Sequence, residues 1–164
     1  MAKSIDLEKH RQNYKVFLEG QKTIMISSLD PEGEPFLSYS PFVFDDGKFY
    51  IYISKITEHY HYINAHPKVT IMTIADEVNS PNLFARERVR FQCEATIVEE
   101  SEYERVFDKF NERNGKPMMG VLRGLDFSLF ELTPNEGRYV VGFGLAFHVD
   151  VKAEQFSHVV IDKK

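Results

Sequence analysis

Residues Ser54 to His59 are the first segment whose residue types and spacing suit a chemical task. The segment follows an alternating apolar stretch and begins a helical one, and the free N–H groups at a helix start attract anions. The side chains of Ser54, Lys55 and Thr57 add donors, so the pattern predicts a site for a phosphate or a carboxylate. The alternative is an ordinary strand-to-helix turn in which Thr57 caps the helix.

Arginine alternates along a later stretch that has the pattern of a strand, at Arg86, Arg88 and Arg90. Residues two apart on a strand share a face, so the three guanidinium groups are expected to project together. Arginine keeps its charge and forms paired hydrogen bonds with carboxylates or phosphates, which suits a ligand with two acidic groups. The alternative is a solvated face on which the arginines pair with acids such as Glu87 or Glu94.

Imidazole and carboxylate side chains supply the remaining candidates. Histidine is the commonest transition-metal ligand, but no two histidines in this chain have a convincing metal-ligand spacing. His158 stands in a polar tail, where a mobile ligand could sit. Asp126 precedes an apolar strand, and it either orients a ligating imidazole, pairs with Arg123 or closes the turn with a hydrogen bond. The histidines considered are His59, His61, His66, His148 and His158.

Composition excludes several classes of protein. The chain has 164 residues and a net charge of −5, which argues against a general nucleic-acid binder. Its single cysteine, Cys93, excludes an internal disulfide and a multi-cysteine metal site, and its apolar neighbours indicate inert packing. No stretch approaches the roughly 20 apolar residues of a membrane span, and the first ten residues lack the apolar core of a signal peptide. We therefore expect a cytoplasmic protein with no membrane span.

Hydropathy periodicity predicts short strands joined by turns, with two or three helices. Ser101 and Glu104 match a capping box at the start of a helix. The residues expected to form the buried stripe of that helix are Tyr103, Val106, Phe107 and Phe110. Apolar residues alternate along residues 48–54, and residues 134–137 match a turn. Gly142 and Gly144 indicate a bulge or a close backbone approach within a strand. The predicted helices span residues 4–19, 57–65 and 101–113, and the predicted strands 23–29, 36–44, 48–54, 69–75, 84–99, 127–132 and 138–149.

The order of these elements predicts a fold class. No regular alternation of strand and helix occurs, so a parallel sheet of the Rossmann type is not expected. An antiparallel β-barrel with flanking helices is the economical arrangement, because closure removes the sheet edges. Residues 116–125 are expected to form a loop or a short helix. The predicted division is a barrel domain over residues 1–149, including the N-terminal helix, and a C-terminal tail over residues 150–164.

Several segments between about residues 8 and 149 carry a resemblance to a known family. The most specific are Leu83-Phe84-Ala85-Arg86 and Gly142-Phe143-Gly144 together. The chain resembles the FMN-binding split-barrel superfamily related to pyridoxamine 5′-phosphate oxidase. Within it, the chain is most similar to the HugZ/HutZ branch of heme-binding, heme-degrading proteins. The matching segments are residues 38–43, 54–59, 64–67, 83–88, 126–130 and 141–146.

The resemblance implies a six-stranded antiparallel split barrel that forms a homodimer with ligand sites at the subunit interface. It implies a heme pocket containing Arg88, an Asp126 that interacts with the proximal histidine, and a His59 near the subunit contact. It also implies that a histidine in the C-terminal tail ligates the heme iron, and His158 is the nearest one in this sequence. Asp126 and Arg88 are the implied catalytic residues.

The resemblance leaves two cofactors and two roles open. Heme implies O₂-dependent heme degradation with iron release, or heme storage. FMN implies a flavin-dependent oxidoreductase, with the flavin phosphate held at residues 54–57. The residues expected to bind either cofactor are Ser54, Lys55, Thr57, His59, Arg86 and Arg88.

Overall fold

The strands of this protein form one antiparallel sheet flanked by helices, as the short turns predict. The computed structural model describes residues 4–160. Within that range the predicted helices are present, and residues 116–123 form a further one. The helices are α1 (Leu7–Gly20), α2 (Glu58–Ala65), α3 (Tyr103–Asn114) and α4 (Lys116–Arg123). The strands are β1 (Thr23–Leu29), β2 (Pro35–Pro41), β3 (Val43–Asp45), β4 (Lys48–Ser54), β5 (Lys68–Ile74), β6 (Arg88–Ile97), β7 (Phe127–Gly142), β8 (Leu145–Asp150) and β9 (Gln155–His158).

The sheet closes into a barrel because its first and last strands are consecutive in the chain. The strand order is β2-β1-β5-β6-β7-β4-β3, and only Phe42 separates β2 from β3. Phe42 is buried, and its N–H donates to the carbonyl oxygen of Lys22 at 3.0 Å, which interrupts the single strand predicted over residues 36–44. Counted as one bent strand, β2 and β3 complete a six-stranded barrel. The predicted fold class, a mainly β split barrel with flanking helices, is confirmed.

Strand β7 is longer than the sequence pattern indicates. The turn predicted at residues 134–137 is wrong, because these residues stay in β7 and a register shift opposite them, between Phe91 and Cys93, absorbs the irregularity. The bulge or close approach predicted at Gly142 and Gly144 is confirmed at Gly142, because the register of β7 against β8 shifts between Val140 and Gly142. Gly144 has a φ of +67°, and it forms the tight turn that reverses β7 into β8.

The C-terminal tail contributes a strand to the sheet. Strand β9 pairs with β8, with Phe156 opposite Val149 and His158 opposite Phe147. The Phe156 ring stacks on the Phe147 ring at 4.9 Å. Residues 161–164 of the predicted tail, and residues 1–3 of the predicted domain, lie outside the described residues. The division at residue 149 stays a prediction.

Two apolar clusters hold the fold together. The barrel interior is filled by alternate residues of its strands and by Phe17 and Leu18 of α1. A second cluster lies where α3 and α4 cover β4 and β7, and it buries the predicted helix stripe of Val106, Phe107 and Phe110. Apolar burial of this kind is the main favourable term in folding.

The capping box predicted at the start of α3 is wrong. A short 3₁₀ turn over Glu100–Glu102 precedes the helix, and no side chain caps its first turn. The Glu104 carboxylate instead accepts a hydrogen bond from Arg123 at 2.6 Å. This contact ties the first turn of α3 to the last turn of α4.

Candidate functional site

The loop between β4 and α2 uses its polar side chains within the chain. Thr57 is the N-cap residue of α2, as predicted, but its hydroxyl donates to the carbonyl oxygen of Ser54 at 2.7 Å and makes no capping bond to the helix. The Ser54 hydroxyl oxygen lies 3.4 Å from the N–H of Ile56, which donates to it. The loop presents backbone and side-chain donors at a helix start, but all three predicted anion-binding side chains have partners within the chain.

Lys55 and Asp126 lie together at the end of β4. The Lys55 N–H donates to the Asp126 carbonyl oxygen at 2.8 Å, and the Lys55 Nζ lies 3.5 Å from the Asp126 carboxylate. Both side chains are exposed, so the ion pair contributes about 0–1 kcal/mol. The predicted Arg123 partner for Asp126 is wrong. Arg123 lies over the ring of Phe107 at 4.3 Å from its centroid and bonds to a glutamate of α3.

His59 lies in the first turn of α2, directly after this loop. Its side chain is half-buried, and its Nδ1 is enclosed without a hydrogen-bond partner among residues 4–160. Burial lowers the pKa of the imidazole, which favours its neutral form. An enclosed, unpartnered ring nitrogen is uncommon in a folded protein, which sets His59 apart from the other polar residues of this loop.

The predicted row of three arginines on one strand is wrong at its first member. Residues Leu83–Ala85 form a 3₁₀ turn whose N-cap, Asn82, accepts a bond from the Phe84 N–H at 3.0 Å, so β6 begins only at Arg88. Arg86 therefore turns back, and its Nε donates to the Ala75 carbonyl oxygen at 2.5 Å. Arg88 donates to the Arg86 carbonyl oxygen at 2.8 Å.

A different cationic row crosses the sheet instead of following one strand. Arg90 of β6 lies opposite Arg138 of β7, which lies opposite His148 of β8. Directly opposite residues share a face, so these three side chains are neighbours. Together with Gln92 and Glu136 they line a cavity of about 130 Å³. Sequence reasoning missed Arg138 and treated His148 only as an isolated histidine, because the pairing of β6, β7 and β8 leaves no local signal.

His158 occupies the end of β9. Its ring lies 5.5 Å from the Phe147 ring, and its Nε2 lies 2.8 Å from the Gly144 carbonyl oxygen. A carbonyl can only accept, so this contact assigns the proton to Nε2 and leaves the lone pair on Nδ1. The predicted tail ligand is thus held by the β7–β8 turn.

The predicted site residues form two groups that one chain does not bring together. Ser54 lies opposite Phe127, and Arg88 lies opposite Val140 thirteen positions further along β7. Thirteen strand residues span a contour of roughly 40 Å. The group near the N-terminal end of β7 consists of Ser54, Lys55, Thr57, His59 and Asp126. The group near its C-terminal end consists of Arg86, Arg88 and His158.

Three other features of residues 4–160 bear on the kind of site. They contain no group of three or more His, Cys, Asp or Glu side chains that could hold a metal ion. None of their helices combines the length and the apolar character that crossing a membrane requires. Cys93 is buried among core residues, and burial raises the pKa of its thiol to about 12, so this thiol stays protonated.

The fold and sequence together define the class of protein. The profile of the pyridoxamine 5′-phosphate oxidase family matches residues 11–141. A heme oxygenase from Vibrio cholerae, HutZ, is 38% identical over 137 residues, which are 82% of this chain and 78% of that protein. The chain belongs to the pyridoxamine 5′-phosphate oxidase family and, within it, to the HugZ/HutZ branch.

Two solved structures place this chain among particular relatives. ChuZ of Campylobacter jejuni superposes with a TM-score of 0.88 at 27% identity, over 98% of this chain and 68% of that one. HutZ of Vibrio cholerae, which is called a heme storage protein, superposes with a TM-score of 0.68 at 32% identity. That match covers 80% of this chain and 92% of HutZ.

Proposed function

We propose that this protein binds heme at the interface of a homodimer and degrades it with O₂, releasing iron. The observation that carries the proposal is the 38% identity to a heme oxygenase over 82% of the chain. Storage of heme is the alternative role, because the structurally similar HutZ of Vibrio cholerae is called a heme storage protein. A cytoplasmic location remains the expectation.

The separation of the site residues supports a dimeric site. Lys55 and Asp126 lie at one end of β7, and Arg88 lies thirteen positions away. A second copy that presents its Asp126 end to the Arg88 end of the first would complete a pocket that one chain lacks. The outer face of the sheet suits such a contact, because Leu37 and Tyr39 expose 68% and 59% of their surface.

The environment of His158 fits an iron ligand. Metal-bound histidines usually donate their other ring N–H to a carbonyl or carboxylate, which fixes the tautomer and orients the ring. The Gly144 carbonyl does this for His158 and leaves Nδ1 with its lone pair. When bound, heme supplies an iron centre that activates O₂ and a porphyrin that is the oxidised substrate. Arg88 keeps a positive charge in the pocket and retains N–H groups beyond the one bonded to Arg86.

Asp126 is proposed as the residue that supports the ligating imidazole from the second copy. One ring N–H can serve only one strong acceptor, so Asp126 and the Gly144 carbonyl compete for that proton of His158. The competition makes the role of Asp126 measurable, because loss of its carboxylate would leave only the weaker, neutral acceptor.

FMN is the second candidate cofactor, on the ground of family membership. The loop that would hold its phosphate argues for heme instead. The Thr57 hydroxyl is bonded to Ser54, and the Lys55 ammonium lies beside the Asp126 carboxylate. A phosphate would have to compete with Asp126 for Lys55, which lowers the affinity that this loop can offer.

The experiment is an absorption spectrum of the purified protein, alone and titrated with hemin. A saturable Soret band at one heme per subunit, lost in His158→Ala, is the expected result. Decay of that band with ascorbate and O₂, together with iron release, is expected of the enzyme, whereas a band that persists would support storage. A flavin spectrum indifferent to hemin would reject the heme proposal and favour FMN.

A further inference from the structure

Within the cationic row of Arg90, Arg138 and His148, the two arginines lack the acidic partners that such a row normally has. Opposite residues on paired strands have Cβ atoms about 5 Å apart, and like charges placed so are destabilising. The ion pairs of residues 4–160 include neither Arg90 nor Arg138. Arg138 is also partly buried, which makes an unpaired charge more costly.

The nearby carboxylates do not relieve this repulsion. Glu136 is exposed, and its Oε2 lies 3.9 Å from Nε2 of His148, a weak contact that leaves both arginines unpaired. Asp150 accepts a hydrogen bond from the Ala153 N–H at 3.0 Å, which closes the turn after β8. An anion from outside the chain would therefore find two guanidinium groups available.

The backbone leaves room for such an anion. Gly137 lies between Glu136 and Arg138, and it lines the same cavity as the arginines. The cavity of about 130 Å³ equals the liquid volume of about four water molecules. That space takes a carboxylate with its first methylene groups, but it is too small for the ring of a porphyrin.

We propose that Arg90, Arg138 and His148 form an anion-binding subsite that takes a carboxylate group of the ligand. The inference rests on the proposed function for the identity of that ligand, a planar molecule whose side chains carry carboxylates. Arg88 lies on the same face of β6, two residues before Arg90, so the subsite adjoins the Arg88 side of the proposed pocket. The two guanidinium groups hold the carboxylate, and the ring of His148 adds an N–H donor.

The test compares the affinities of hemin and of hemin dimethyl ester, which lacks the carboxylate charges. Arg138→Gln and Arg90→Gln are each expected to weaken hemin binding about tenfold, or about 1.4 kcal/mol at 25 °C, and to leave binding of the ester unchanged. Arg138→Lys should recover part of the loss. Arg105→Gln is the matched control, because Arg105 lies on α3 and pairs with the Asp45 carboxylate and the Tyr50 hydroxyl, beside the second apolar cluster.

Equal losses for hemin and its ester would overturn the subsite, because the arginine would then be supporting the fold or the apolar contact. Unchanged hemin affinity in Arg138→Gln would overturn it as well. Dissociation of the dimer in Arg138→Gln, measured by sedimentation, with the ratio of affinities unchanged, would mean that the arginines meet carboxylates of a second copy. That outcome also rejects the proposal.

A second measurement does not depend on heme. Glutarate, a small dicarboxylate, is titrated while the ring signals of His148 are followed by NMR. A saturable shift at roughly tens of millimolar, absent in Arg138→Gln, is expected. No shift in the wild-type protein would reject the subsite whatever hemin does, whereas a shift without any hemin binding would reject the proposed function alone.

Discussion

Replacement of Gly137 by alanine tests how closely β6 and β7 approach each other beside the cationic row. A Cβ atom at this position would lie 2.5 Å from the Phe91 Cδ1 and 2.7 Å from the Arg90 carbonyl oxygen. Both distances are well inside van der Waals contact, so one of the two strands must move. The carbonyl belongs to the backbone of β6, and the Phe91 ring is only 1% exposed, so neither neighbour can yield easily.

The expected cost follows from this geometry. An extra methyl group in a well-packed interior costs about 1–3 kcal/mol, and the two short contacts indicate the upper end of that range. In a domain of this length each kcal/mol lowers the melting temperature by roughly 2–4 °C. Gly137→Ala is therefore expected to melt roughly 6–12 °C below the wild-type protein.

Thermal unfolding followed by circular dichroism measures the effect, with Gly120→Ala as the control. Gly120 lies in α4, and a Cβ atom there would meet nothing within 4 Å. Alanine is more favourable than glycine in a helix by about 1 kcal/mol, so the control is expected to melt higher than the wild type. The same chemical change thus has opposite signs at the two positions.

A melting temperature of Gly137→Ala within about 1 °C of the wild type would refute the close approach, since β6 and β7 would then have room for a methyl group between them. A rise in melting temperature like that expected of Gly120→Ala would refute it too. If the contact is as close as described, the displaced strands should also lower the affinity for hemin. Hemin binding by Gly137→Ala well below its melting temperature measures that consequence.

Three further predictions follow from the packing, the titrating groups and the proposed site. Phe107→Ala removes a fully buried ring beneath α3 and α4, and it is expected to lower the free energy of unfolding, measured in urea, by about 3–5 kcal/mol. A loss below about 1 kcal/mol would contradict the close packing of the second apolar cluster. Burial raises the pKa of Glu131, but hydrogen bonds from Lys48 and a tyrosine outweigh it, and the net pKa is lowered from 4.5. The ionised carboxylate therefore stabilises the fold above pH 4.5, and this contribution is lost as the pH falls through the lowered pKa. Glu131→Gln has no carboxylate to protonate, so it is expected to lose less stability than the wild type when urea melts are repeated at decreasing pH. Asp126→Ala is expected to change the absorption spectrum of the heme complex, and an unchanged spectrum would remove its proposed contact with the ligating histidine.

The matched control for Glu131→Gln is Glu32→Gln, which lies in the exposed turn between β1 and β2. Its urea melts are repeated over the same pH range. A parallel dependence for Glu131→Gln and the wild type would contradict the assigned pKa direction. For Asp126→Ala, the spectrum of Lys55→Met separates loss of the ion pair from loss of the carboxylate, since only the carboxylate is proposed to reach the imidazole.

The hydropathy pattern was enough to predict the helices and strands in which apolar residues recur with a single period. The helix stripe of Val106, Phe107 and Phe110 and the alternation in β4 both gave correct elements, because each period matches one secondary structure. The failures occurred where turn-forming residues lie inside a longer pairing. Residues 134–137 have turn chemistry, yet they stay in β7 because β6 and β8 hold them by hydrogen bonds on both sides.

The candidate site divides in the same way. The loop after β4 was recognised from its residues, and the resemblance led to the correct family. The partners of the charged residues were not predictable, because Lys55 meets Asp126 only when β4 pairs with β7. The predicted bond between Asp126 and Arg123 is close in sequence, but α4 turns Arg123 towards Phe107 instead.

The sequence by itself determined the fold class, the connection of neighbouring strands by short turns, and the residue types available to bind a ligand. These depend on hydropathy period, turn chemistry and charge, all of which act between neighbours in the chain. Only the tertiary structure decided that Arg90 faces Arg138 and His148, and that His158 is held by Gly144. Such contacts join residues up to 48 positions apart. Which strand pairs with which is set by burial of the whole barrel interior rather than by any one segment.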